Sequence, residues 1–193
     1  MSTGVLVAVV GPSGVGKDTL IGHARAALAG DDGFVFVRRL VTRGENAFED
    51  HDTLDEAAFV RGVAEERFAL HWRAHGLGYA LPAETHEAIA RGAVAVCNFS
   101  RGALVAARER FPLVRVVAIT APDAVLAARL IGRGRETKEG VAARLQREAQ
   151  CAREVDPDLT VVNDRPVAQS GGELVAYLRS LRVGAAVRIA APW

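Results

Sequence analysis

The sequence predicts an α/β fold: a parallel five-stranded sheet with helices on both faces, in one domain. Three observations carry that expectation. Apolar, β-branched runs alternate with helical stretches, the pattern of parallel strands joined by crossover helices. The first run, Val5–Val10, is apolar at every position, as a strand buried on both faces is. A glycine-rich turn, Gly11 to Gly16, then separates that run from the first helix.

The elements follow in order. Val5–Val10 is a strand closed by Gly-Pro, and Thr19–Ala29 a helix stopped by Gly30-Asp31-Asp32-Gly33. Phe34–Val41, β-branched and aromatic, reads as one second strand. Residues 44–53 are polar and turn-rich. Leu54–Glu66 is a helix with Leu54, Ala58 and Val63 on its apolar side. Phe68–Trp72 and Tyr79–Leu81 are short strands around a Gly76-Leu77-Gly78 turn. Ala83–Arg91 is a helix, Ala93–Asn98 an apolar strand, Arg101–Arg110 a helix and Leu113–Thr120 a strand. Pro122 suits the first turn of a helix ending near Gly132. Gly132 to Gly140 reads as a mobile loop, Val141–Val155 as a charged helix, Leu159–Asn163 as the last core strand and Pro166–Leu181 as the last helix. Residues 42–81 break the alternation and read as an insert standing over the sheet.

Composition narrows the function classes. The 193 residues are 50% hydrophobic and 24% charged, which excludes a disordered or fibrous chain. A formal net charge of +1 gives no broad nucleic-acid or membrane surface, so any cationic function is local. The two cysteines, Cys97 and Cys151, read as small packing side chains rather than a disulfide or metal framework. No run approaches the length of a membrane span and no signal peptide is visible, so the expected compartment is the cytoplasm. Of the 24 basic residues all but Lys17 and Lys138 are arginines. In such a chain a lysine inside a glycine-rich loop stands out as a functional candidate.

That loop, Gly11-Pro12-Ser13-Gly14-Val15-Gly16-Lys17-Asp18-Thr19, carries most of the chemistry. It follows a strand, opens a helix and meets the spacing G-x-x-x-x-G-K of a nucleotide-phosphate site. Glycines let the backbone turn several N–H groups toward one anion, the helix start adds partial positive charge, and Lys17 supplies a point charge. Asp18 stands where a hydroxyl residue usually follows the lysine. A carboxylate there would repel a triphosphate unless a magnesium ion lay between them, so Asp18 is the candidate metal group and Thr19 the competing hydroxyl. Further along, Arg129, Arg133, Arg135 and Arg144 bracket the glycine-bearing loop. Guanidinium forks suit phosphate, and arginines on a mobile loop can close over a transferring phosphoryl group. Arg147 and Arg153 read as a solvated, salt-bridged helix surface.

The order of these parts resembles a guanylate kinase-type nucleoside monophosphate kinase. The resemblance rests on the phosphate loop, Val41-Thr42-Arg43, Gly78-Tyr79, the run Arg129 to Glu136, Arg144-Leu145 and Val162-Asn163-Asp164. It implies a P-loop kinase fold with an acceptor-binding insert (about residues 42–81) and a lid (about 132–140). It implies that Arg43 and Tyr79 hold the acceptor phosphate, that Arg133, Arg135 and Arg144 act on the transferred group, and that Asn163 lies near the adenine of ATP. Three departures stand out. The insert has Phe48-Glu49-Asp50-His51-Asp52 without a tyrosine. It continues as Phe68-Ala69-Leu70-His71-Trp72-Arg73-Ala74-His75-Gly76-Leu77-Gly78-Tyr79. Cys97-Asn98-Phe99-Ser100-Arg101 replaces the family's aspartates after the third core strand. With Gly-Lys-Asp in the phosphate loop, these are similar to the ribose 1,5-bisphosphate phosphokinases of phosphonate catabolism.

That similarity implies ATP and magnesium as cofactors and a small phosphorylated sugar as the partner, with neither nucleic acid nor membrane. The alternatives are a nucleoside monophosphate kinase with an altered base pocket, for which Glu49 and Asp50 are the only purine-reading candidates, and a non-catalytic binding module. An acceptor with two phosphates and no base needs extra donors; His71, Arg73, His75 and Arg101 are the candidates, Arg101 first. Trp72 reads as packing, and His23 and His86 as helix-surface residues.

Overall fold

β1 (Val5–Val10) is buried along its whole length, and the alternation of its side chains sets up both halves of the interior. The computed structural model of the chain describes residues 4–44, 50–132 and 156–187. Val5, Val7 and Val9 join one apolar cluster, with Leu20, Ile21 and Ala24 of α1 (Lys17–Ala27) and Leu174, Val175 and Leu178 of α6 (Val167–Val187). Leu6, Ala8 and Val10 join the other.

The five-stranded sheet has the order β2 (Phe34–Phe36), β7 (Val94–Asn98), β1, β8 (Val114–Thr120), β9 (Leu159–Val162), every pair parallel. The chain steps from β7 across β1 to β8. The ends of β1 and β7 therefore flank the point where the connections diverge, the usual place for a ligand in such sheets. α5 (Asp123–Gly132) follows β8.

The second cluster is not covered by helices alone. α3 (Glu84–Ala90) and α4 (Leu104–Arg110), the latter after a 3-10 turn at Arg101–Ala103, cover part of it. The rest lies under a second, four-stranded sheet of order β4 (His51–Thr53), β3 (Arg39–Val41), β6 (Leu77–Pro82), β5 (Phe68–Ala74). Val41, Leu70, Trp72, Tyr79 and Leu81 point from it into the cluster, while α2 (Glu56–Ala64) packs Phe59 on the outer side against Phe68. The Asp55 carboxylate caps α2 by accepting from the Ala58 N–H at 2.6 Å.

The expected strand Phe34–Val41 is two strands in two sheets. Phe34–Phe36 pairs with β7, and after Val37 and Arg38 the chain leaves the main sheet and pairs with β4 and β6. Hydrophobic periodicity does not register a change of partner. The turn expected at Gly76–Gly78 sits one residue earlier. His75 and Gly76 both have positive φ, 51° and 76°, the backbone of a two-residue hairpin, and Leu77 and Gly78 already belong to β6. His23, expected on a helix surface, packs against Gly171 of α6, where a Cβ would collide with its ring. The lid segment, the helix expected over Val141–Val155, Cys151, Glu49 and the end of the tail lie outside the described residues.

Half-exposed ion pairs tie α1 and the β2–β3 connection to β4 and the residue before it. Asp50 meets Arg25 of α1 at 2.7 Å and Arg38 at 3.3 Å, and Arg38 also meets Asp52 at 2.9 Å. No described helix is long and apolar enough to cross a membrane.

Candidate active site

The glycine-rich turn connects β1 to α1, so its N–H groups and the start of the helix meet at the diverging end of the sheet. Gly16 caps α1 in the left-handed region, φ 96°, where glycine alone is unstrained. A Cβ there would lie 2.5 Å from the Asn163 amide. The outward carbonyls are tied down. Asn163 donates from Nδ2 to the Val15 carbonyl at 2.7 Å, and Arg129 donates to the same oxygen at 3.1 Å. The Lys17 ammonium donates to the carbonyls of Gly11 and Pro12 at 2.8 and 3.0 Å. Leu130, next to Arg129, packs so closely on Gly14 that a Cβ would meet it at 3.1 Å. Asn163, just past β9, and Arg129 and Leu130 of α5 thus hold the loop by its Val15 carbonyl and at Gly14.

Asp18, in the first turn of α1, accepts a 2.7 Å hydrogen bond from the side-chain amide of Asn98. Asn98 is the last residue of β7 and is buried. The bond aims one carboxylate oxygen and leaves the other for a further partner. A single oriented carboxylate beside phosphate oxygens suits magnesium, which keeps most of its waters. Among the described residues no cluster of three or more histidine, cysteine or acidic side chains offers a cage made by protein alone. Thr19 is exposed on α1.

On the side turned toward the main sheet, the second sheet carries an aromatic and cationic surface. Tyr79 stacks on Trp72 with centroids 5.5 Å apart and planes 6° from parallel, and Trp72 leans on Phe99 at 4.8 Å. The Trp72 indole N–H donates to the Ser100 hydroxyl at 2.9 Å, tying β5 to the end of β7. The Arg39 guanidinium lies over the Tyr79 ring, 5.6 Å from its centroid. Between the two sheets, the buried Cys97 thiol is pushed up to about 12, first by desolvation; the Arg39 charge opposes this and the Asp18 charge adds to it. One buried thiol therefore senses both the loop's carboxylate and the second sheet's guanidinium.

The sequence-based candidates divide accordingly. Gly11, Pro12, Ser13, Gly14, Val15, Gly16, Lys17 and Asp18 form the loop and helix start. Tyr79 is buried on the facing sheet, Arg43 follows β3, and Arg101 opens the 3-10 turn beyond β7. Arg133, Arg135 and Arg144 lie outside the described residues. Asn163 stands against the back of the phosphate loop. His71 is not brought together with the rest. Strand alternation puts it opposite Trp72 and Leu70, exposed and edge-on to Phe59 at 6.2 Å. Arg73 shares that outer face, bonded to Glu56, whose carboxyl it holds below the ordinary range, and His75 is at the hairpin tip.

Sequence reasoning missed three residues. Asn98 had a signal: it is the polar end of an apolar strand. Arg129 was read only as part of the lid cluster, because its partner Val15 is far off in sequence. Arg39 was hidden inside the run taken for one strand.

No protein-family model matches the chain. Solved structures give the fold. A guanylate kinase from Anaplasma phagocytophilum superposes with a TM-score of 0.64 at 18% identity, covering 93% of this chain and 86% of that one. A gluconokinase from Sinorhizobium meliloti 1021 gives 0.52 at 18% identity, covering 97% and 98%. The architecture is that of P-loop kinases. Curated relatives are closer in sequence. A "Ribose 1,5-bisphosphate phosphokinase PhnN" of Methylobacterium radiotolerans is 54% identical over 177 residues, covering 92% of this chain and 98% of the relative. The protein of that name from Brucella melitensis biotype 2 is 48% identical over 181 residues, covering 93% and 94%. The phosphate loop at the start of α1 and identities of 54% and 48% over more than nine-tenths of the chain agree, and the chain belongs to the ribose 1,5-bisphosphate phosphokinase (PhnN) family.

Proposed function

We propose that this chain transfers the γ-phosphoryl group of ATP to the 1-phosphate of ribose 1,5-bisphosphate, giving 5-phosphoribosyl 1-diphosphate and ADP, and that it does so in the cytoplasm. The observation that carries the reading is the Asp18–Asn98 bond. It joins the helix start of the phosphate loop to the end of β7, from which Ser100 bonds Trp72 of the second sheet, and so links the two parts to which donor and acceptor are assigned.

The acceptor needs no catalytic base. A phosphate monoester has a second pKa of about 6 and is largely dianionic at neutral pH. One of its oxygens attacks the γ-phosphorus, and the bond from that phosphorus to the β,γ-bridging oxygen breaks as ADP leaves. The remaining problem is bringing anions together. The loop's N–H groups and Lys17 hold the donor phosphates, while Arg129 and Asn163 keep the loop in shape. Asp18 would hold a magnesium ion, which when bound neutralises phosphate oxygens. Arg43 and Tyr79 hold the reacting acceptor phosphate, and Arg133, Arg135 and Arg144 are assigned to the transferred group.

Coupled ADP release with ribose 1,5-bisphosphate, compared with GMP, AMP and dGMP, tests the reading, with 31P NMR identifying the new diphosphate. Turnover of GMP alone would overturn it. The nucleoside monophosphate reading loses one of its two purine-reading groups, since Asp50 is held between Arg25 and Arg38.

A further inference from the structure

The acceptor proposed above carries two phosphates, and only one reacts. Of the four donors first considered for the other, three lie away from the inner face: His71 and Arg73 are on the outer face of β5 and His75 is at the hairpin tip, while Arg101 opens the 3-10 turn beyond β7. The inner face offers a different pair. Arg39 of β3 stands opposite His51 of β4 in the parallel ladder, so both side chains project to one side of the sheet. That side is the one Val41 and Tyr79 share, turned toward the main sheet. Both residues are deeply buried, Arg39 at 5% and His51 at 2% exposure.

Neither is ordinary interior material. The His51 Nε2 is buried without a hydrogen-bond partner among the described residues, while Nδ1 lies 3.4 Å from the Asp52 carbonyl. A polar atom buried in this way is costly unless a ligand engages it. The Arg39 guanidinium lies against the Tyr79 ring, on the side of the sheet turned toward the main sheet. The same face has no hydrogen-bonding edge for a nucleobase at Leu70 and Leu81, which pair with each other and are buried. A guanidinium fork and, in its Nε2–H tautomer, an imidazole donor beside apolar walls suit a compact dianion.

We propose that Arg39 and His51 seat the non-reacting 5-phosphate of the acceptor and set the preference for a sugar bisphosphate over a sugar monophosphate. The proposal rests on the function read above. Its test compares kcat/KM for ribose 1,5-bisphosphate and ribose 1-phosphate, by ADP release, in the wild type and in Arg39→Met, Arg39→Lys and His51→Leu. Titration calorimetry with ribose 5-phosphate gives a readout independent of turnover.

The wild type is expected to favour the bisphosphate by about 10²-fold. Arg39→Met should lose about 10²-fold on the bisphosphate and no more than about fivefold on ribose 1-phosphate, and should no longer bind ribose 5-phosphate. Arg39→Lys should fall between, and His51→Leu should lose about tenfold on the bisphosphate. Equal losses on both sugars, or a preference undiminished from wild type in both Arg39→Lys and His51→Leu, would overturn the assignment. Should Arg39→Met not fold by circular dichroism, those two variants decide it. A wild type inactive on the bisphosphate would instead overturn the underlying function, an outcome visible before any variant is made.

Discussion

The phosphate loop and the second sheet are built by opposite means. The loop is one contiguous stretch whose binding groups are backbone; distant side chains serve only to hold its carbonyls, as Asn163 and Arg129 hold Val15. The facing surface is made of side chains from four separate segments, Arg39, His51, Trp72–Tyr79 and Ser100, gathered by strand register and stacking. A backbone site tolerates little change within the loop. A side-chain site can change its ligand by single substitutions while the sheet survives.

Removing charge from the backbone site should have the largest effect. Lys17→Ala is expected to lower kcat by about 10²–10³-fold with the fold intact by circular dichroism. An unchanged rate would revive the reading of the chain as a binding module. Asn163→Ala comes next. It leaves the Val15 carbonyl with Arg129 alone, and should cost about 1–2 kcal/mol in urea unfolding and raise KM for ATP more than for the sugar. If the sugar KM rises instead, the two sites are not separable in this way.

On the side-chain surface, Trp72→Phe loses the bond to Ser100 and leaves a small void. Unfolding free energy should fall by about 1–2 kcal/mol, with KM for the sugar rising and KM for ATP steady. Smallest of all, His71→Ala on the outer face should stay within about twofold of wild type in kcat/KM for the sugar and within about 0.5 kcal/mol in stability. A tenfold loss would return His71 to the acceptor site.

The same contrast explains what the sequence made legible. Five core strands, the loop and its lysine were readable because each is a local pattern: β1 is apolar throughout, and the loop's glycines and lysine are consecutive. The second sheet was only half readable. Its hairpin strands showed, but Arg39 sat in a run that looks continuous from Phe34 to Val41, and only pairing reveals that the chain changes sheets after Phe36. His71 misled for the related reason that alternation fixes which side chains share a face, not which face is inward. Arg129 needed the tertiary structure, since its partner Val15 is distant in sequence; Asn98 showed as the polar end of an apolar strand, but not its bond to the distant Asp18.

The stacked pair Trp72–Tyr79 has a practical consequence. The chain has two tryptophans, Trp72 and Trp193. An indole that is buried, parallel to a phenol ring and bonded through its N–H to Ser100 has an emission colour and yield set by those neighbours. In a Trp193→Phe background, intrinsic fluorescence becomes a single-site optical reporter at the junction of the two sheets. Stopped-flow traces could then time sugar arrival separately from nucleotide arrival, with no dye attached.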